Sequence, residues 1–176
     1  MALTNAQKLT LRTHIQANQV QLTFGGGPAT ISSVFGAPIL GSGDALIIAD
    51  WYNLQASPNF TVWKSRVSIT EIGDKINGTE LAGLSTLNST RLQTVVILSA
   101  DGVNPGLADR RAFFDDIFSG AGGTITRANL LILWKRLATN LEKVFATGTG
   151  SDAVPALLVL QEIISGDQIS DIKGLA

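Results

Sequence analysis

Between Gln19 and Gly43 the chain runs QVQLTFGGGPATISSVFGAPILGSG without a single Lys, Arg, Asp or Glu. A glycine-rich stretch that still carries Val, Ile, Leu and Phe presents apolar surface that water disfavours, so something must cover it. The expected cover is other protein, either further copies of this chain or its neighbours in an assembly. After Asn18 the residues change from helical spacing to near alternation. VQLTF reads as a strand, Gly25 to Pro28 as a turn and ATISSVF as a returning strand, which predicts a β-hairpin near residues 19–36 within an uncharged arm over 19–43.

Scarcity of charge extends to the whole chain. Charged residues make up 15% of it, against roughly 25% in ordinary soluble proteins, while 45% is apolar. A net charge of -1 with both signs scattered gives no electrostatic footprint for duplex nucleic acid, although a ring of copies can surround DNA without being basic. The absence of cysteine excludes disulfides, thiolate zinc sites and a cysteine nucleophile. His14 is the only histidine, so a histidine-based metal site within one chain is excluded and acid–base chemistry falls to carboxylates. Glu71, Asp74 and Glu80, close together in TEIGDKINGTE, are the candidates for it.

Other chemical motifs fail on context. FGGGPAT, GSGD and GTGSD are rich in glycine, yet none leads into the Lys-Ser or Lys-Thr of a phosphate-binding loop. There is no GxSxG, and the SxxK spacing of Ser170 and Lys173 lacks companion motifs. No catalytic residue, metal or cofactor is expected. The opening MALTNAQKLTLRTHIQ lacks the apolar centre of a secretion signal, and no apolar run reaches the ~20 residues that span a bilayer. The expectation is therefore assembly in a cytoplasm, away from membrane.

Helix signals organise the rest into one expected domain over 1–176, mainly α-helical. Thr4 with Gln7 forms a capping box for a first helix, in which Ala6, Leu9 and Thr13 share a stripe and Leu11 and Ile15 an adjacent row. ALIIADWYN reads as a short apolar helix, followed by an extended FTVWKSRV. Ser68 with Glu71 caps the next helix, stopped by Asn77 and Gly78. Thr79–Leu84 reads as helix, and Ser89 as the cap of a segment whose TVVIL suits strand equally well. Asn104 and Pro105 open a helix that Gly120 ends. Thr124 then caps the longest one, about 125–146, whose 22 residues span roughly 33 Å. That helix is the expected pillar of a bundle, with Trp51, Trp63, Phe114, Ile117, Leu130, Trp134, Leu137, Leu141 and Phe145 as core. Residues 147–176 form a C-terminal extension: an extended apolar AVPALLVLQEII, then a tail helix capped by Ser165 and Gln168. The expected subunit interface joins the arm (Val20, Leu22, Phe24, Pro28, Ile31, Val34, Phe35, Ile39, Leu40) to that extension (Leu157, Leu158, Val159, Leu160, Ile163).

Two long runs, DWYNLQASPNFTVWKSRVSITEIGDKINGTEL and RRAFFDDIFSGAGGTITRANLLILWKRLATNLEKVFATGTGSDAVPALL, carry a resemblance. With the opening LTNAQKLTLRTHIQAN they make most of the chain, from Ala45 to Leu158, similar to a family of small virion structural proteins of tailed bacteriophages and prophages. The chain departs from that family in Gln19–Gly43, which is longer and more apolar. The resemblance implies a non-enzymatic, mostly helical head-to-tail adaptor: a homo-oligomeric ring in the neck of the virion, touching the portal, tail proteins and, non-specifically, packaged DNA. A capsid decoration or tail-tube component is the alternative within the class, and a carboxylate-based binding or catalytic domain is the alternative outside it.

Overall fold

The computed structural model describes residues 3–120 and 122–175. Ten helices and two small antiparallel sheets appear among them, so the chain is mainly helical. No helix among the described residues is long and apolar enough to cross a membrane. The chain divides into two compact units, each with its own core.

The first unit comprises Met1–Phe60, Ala138–Ala146 and Val159–Ala176. Its first helix, α1 (Asn5–Ala17), begins at the predicted capping box: the Thr4 hydroxyl accepts from the Gln7 N–H, and the Gln7 side chain accepts from the Thr4 N–H. Leu11 and Ile15, one turn apart, are the buried row, and Leu9 of the other predicted stripe is exposed. The hairpin pairs β1 (Gln21–Phe24) with β2 (Gly27–Thr30), Phe24 opposite Gly27, leaving Gly25 and Gly26 as the turn. Its return is shorter than predicted. The Thr30 hydroxyl accepts from the Ser33 N–H and starts α2 (Ile31–Phe35), which turns ISSVF into helix rather than strand.

α3 (Ser42–Asn53) buries Ala45, Ile48, Ala49 and Tyr52. α10 (Gly166–Lys173) packs against it, starting at the predicted Ser165–Gln168 box. Gly166 permits the approach, since a Cβ there would lie 3.2 Å from the Leu46 backbone nitrogen. Asn53 fixes the extended C-terminal run: its side chain donates to the Ile164 carbonyl at 2.8 Å and accepts from the Ile164 N–H at 3.0 Å. Leu160 and Ile164 are thereby held in the core with Ile169 and Ile172.

The second unit comprises Thr61–Leu137 and Thr147–Leu158. Here β3 (Thr61–Trp63) pairs antiparallel with β4 (Lys135–Leu137), and Ala156 adds a parallel bridge to Val62. Leu157 exchanges backbone hydrogen bonds with Thr147 at 2.8 and 3.0 Å. This part of the apolar C-terminal run therefore finds its strand partners within the chain.

Short helices complete the unit: α4 (Ile69–Gly73), α5 (Gly78–Ala82), α6 (Thr86–Leu98), α7 (Ala108–Ile117) and α8 (Thr124–Leu133). The Ser68–Glu71 box starts α4 as predicted. Asn77 does not stop that helix; it caps α5, accepting from the Thr79 and Glu80 N–H groups. The cap of α6 is Ser85 rather than Ser89, and TVVIL is helical. Asn104 makes a local turn, accepting from the Gly106 N–H at 2.8 Å, and α7 starts only after Leu107. Gly123, not Thr124, is the residue preceding α8.

The single long helix over 125–146 is replaced by three elements: α8, β4 and α9 (Asn140–Phe145), the last belonging to the first unit. Two local interactions override the continuing periodicity. Residues 135–137 take up the ladder with β3, and Thr139 forms a further capping box with Glu142, which restarts the helix. Leu137, expected in the core, is 39% exposed on β4. Phe114, Ile117, Leu130 and Trp134 lie in the second core and Leu141 in the first, with Trp51, Trp63 and Phe145 half-buried against them.

Candidate interaction surfaces

The carboxylates proposed from sequence for acid–base work are committed to the fold. Glu71 accepts from the Ser68 N–H and hydroxyl, both at 2.8 Å, and those bonds hold its carboxyl below the ordinary range. Glu80 reaches α8, accepting from the Ile125 N–H at 2.9 Å and the Thr126 N–H at 2.7 Å. It lies beside a cleft of about 570 Å³ lined also by Thr79, Ser85, Asn88 and Ser119. Asp74 is the C-cap of α4. These three side chains are set at helix termini rather than converging on a ligand.

The predicted interface residues separate by burial. Phe24, Ile31, Phe35 and Leu160 are buried in the core of the first unit and cannot present themselves to another chain. Leu22, Val34 and Leu40 are half-buried against that core, and Leu158 is half-buried. Val20, Pro28, Ile39, Leu157, Val159 and Ile163 are exposed, Ile39 at 85% and Ile163 at 82%. The arm is thus an amphipathic element, covered on one side by its own unit.

Further exposed apolar residues lie outside the arm and the C-terminal run. Val96, Ile97 and Leu98 form a contiguous run at the end of α6, Leu98 at 79% exposure. On α8, Thr126 and Leu130 point inward, while Ile125, Ala128, Leu131 and Ile132 form an outer face. TITRANLLIL mixes Thr124, Thr126, Arg127 and Asn129 with its apolar residues, and of the latter Ile125, Leu131 and Ile132 lie outside the buried stripe. Within one long helix the same pattern reads as the centre of a pillar, which is why the outer face is hard to single out from sequence.

Beside this outer face is an open cleft of about 430 Å³. Trp63, half-buried in β3, carries the Arg111 guanidinium 4.0 Å from its ring centroid. Arg111 also donates to the Pro105 carbonyl, and Arg127, on α8, reaches back to the Gly123 carbonyl at 3.4 Å. Asp115 lines the same cleft, with Ala128 and Leu131 as its apolar side. Partial burial pushes the Arg111 guanidinium down from its ordinary value, against the opposing charge of Asp115. Among the described residues, neither Arg111 nor Arg127 is ion-paired, whereas Arg91 pairs with Asp116 at 2.7 Å. The cleft therefore holds two cations and one anion on an aromatic and apolar floor.

In the first unit, the exposed row of α3 has the converse character. Leu46, Asp50 and the C-cap Leu54 succeed each other at intervals of four and lie on one side of the helix. The Asp50 carboxylate has no hydrogen-bond or ion-pair partner among the described residues.

Compared with family models, with curated proteins and with solved structures, the chain finds no match.

Proposed function

We propose that the chain is a structural subunit that assembles with copies of itself, and that it serves as a head-to-tail adaptor ring in the neck of a tailed-phage virion, as its sequence resemblance implies. The observation that carries the reading is exposed apolar surface on both units of a chain with little charge. Ile39 and Ile163 in the first unit, and Ile97, Leu98 and Ile132 in the second, are each more than 70% exposed. Scattered apolar side chains are ordinary on any protein surface; contiguous ones such as Val96–Leu98 and the outer face of α8 favour burial against another chain. Interfaces of about 800 Å² per partner have apolar centres with few charges, and these surfaces have that composition. The carboxylate alternative is disfavoured because Glu71 and Glu80 are engaged in capping.

Electron microscopy of the purified full chain tests assembly: rings of uniform diameter support it, and isolated single subunits oppose it. Gold-labelled antibody against the chain tests location on particles. Label at one vertex supports the neck, and label spread over the shell or along the tail places the subunit elsewhere in the virion.

A further inference from the structure

The α3 row and the α8 cleft are complementary in charge and in pattern, and they lie on different units of the same chain. Among the residues that line it, the cleft has Arg111 and Arg127 against Asp115, an excess of one positive charge, with Arg127 also within electrostatic reach of Glu80 outside the cleft, and it has an apolar side formed by Ala128 and Leu131. A single carboxylate set between apolar side chains balances that charge and covers that side. Asp50 between Leu46 and Leu54 is such a group, exposed and without a partner among the described residues. We propose that the Leu46–Asp50–Leu54 row of one copy docks on the α8 cleft of the next, with Asp50 against Arg111 and Arg127 and the two leucines against Ala128, Leu131 and neighbouring Ile132.

A phosphate group is the less suitable occupant. A phosphate monoester dianion leaves the cleft with excess negative charge, and for a singly charged phosphodiester the adjoining α8 face offers aliphatic contact rather than the further cations that a nucleic-acid backbone requires. Because the two surfaces differ, a pair of copies joined by a single contact retains one free cleft, on one copy, and one free row, on the other. Association is therefore head to tail, and it closes into a ring where the rotation between copies allows. The inference rests on the ring reading above and supplies the contact that the reading requires.

Charge exchange tests it on the full chain by sedimentation velocity. Asp50→Arg sets the introduced guanidinium of one copy against Arg127 of the next, and Arg127→Glu sets Asp50 against an introduced carboxylate. Each variant alone is expected to dissociate with a constant raised roughly tenfold or more. An equimolar mixture restores assembly, because one contact then pairs the two exchanged charges and the next pairs the two native ones. Thermal melts of each variant check folding. Where Arg127→Glu melts early, Asp50→Arg and Asp50→Ala carry the test, the first preventing assembly and the second weakening it. Variants that assemble as the wild type does overturn this contact while leaving the ring reading intact. Folded variants that both dissociate without recovery on mixing also overturn the pairing. A monomeric wild type overturns the contact and the ring together.

Discussion

The Glu80 carboxylate and Thr126 join α5 to the first turn of α8: one carboxylate oxygen accepts from the Thr126 N–H at 2.7 Å and the other from the Ile125 N–H at 2.9 Å. The first backbone N–H groups of a helix have no partner inside it, and α8 has no side-chain cap of its own. A carboxylate supplied from another helix satisfies two of them and complements the positive end of the dipole. Desolvation pushes the Glu80 carboxyl up, but hydrogen bonds from Thr126 and Ile125, together with the Arg127 charge, outweigh it and hold the carboxyl below its ordinary value. The stabilisation is therefore complete above the unfolded value of 4.5 and is lost as pH falls through the lower folded one. Glu80→Gln should lower the melting midpoint at neutral pH and flatten the acid limb of the midpoint-against-pH curve. An unchanged curve would mean that the cap does not form.

His14 acts in a higher pH window. Its Nδ1 lies 2.8 Å from the Tyr52 hydroxyl, and Tyr52 is fully buried. Partial burial, followed by the charge of Lys143, holds His14 below its ordinary 6.5. The unfolded chain thus binds a proton more readily than the folded one, and stability declines as pH falls below 6.5 toward the folded value. His14→Gln should remove that decline while leaving the Glu80 limb in place. A slope near pH 6.5 that survives the substitution would assign it to another group.

Tyr52→Phe isolates the hydroxyl. Its phenol is pushed up by burial, against a hydrogen bond from Asn18. Losing the hydroxyl should cost about 1 kcal/mol in denaturant unfolding, the usual net value of one such bond. A loss of several kcal/mol would mean that the ring has also shifted in the core.

Trp134 packs edge-on against Phe114 with ring centroids 5.7 Å apart and is 2% exposed. Trp134→Ala should destabilise by ~3 to 5 kcal/mol. A midpoint unchanged from wild type would contradict its placement in the second core.

Thr139→Ala removes the hydroxyl that accepts from the Glu142 N–H at 3.2 Å. The expected cost is about 1 kcal/mol. Were 125–146 one continuous helix, alanine at this interior position would instead stabilise it, so the sign of the change distinguishes the two arrangements.

Local polar signals are the most legible part of the sequence. Thr4 with Gln7, Ser68 with Glu71 and Ser165 with Gln168 each start a helix where the residues indicate. Thr139 with Glu142 has the same pattern, but Trp134, Leu141 and Phe145 continue a helical spacing across it, and periodicity hides the break. Spacing cannot register that residues 135–137 pair with a strand more than seventy positions earlier. The hairpin is legible from its glycines, whereas the helical turn after it depends on Thr30 acting as a cap. The charge-free arm is legible as a segment requiring cover, yet Phe24, Ile31 and Phe35 find theirs within the first unit. Which apolar residues stay outside depends on tertiary packing, and so the outer face of α8 and the row on α3 emerge only from the structure.

Whether the exposed apolar surface on both units serves self-association is read from sedimentation velocity of the full wild-type chain over a range of concentrations. Self-association gives one discrete species many times the 18.5 kDa of a single chain, growing at the expense of the monomer as concentration rises. A species of 18.5 kDa at every concentration would contradict it.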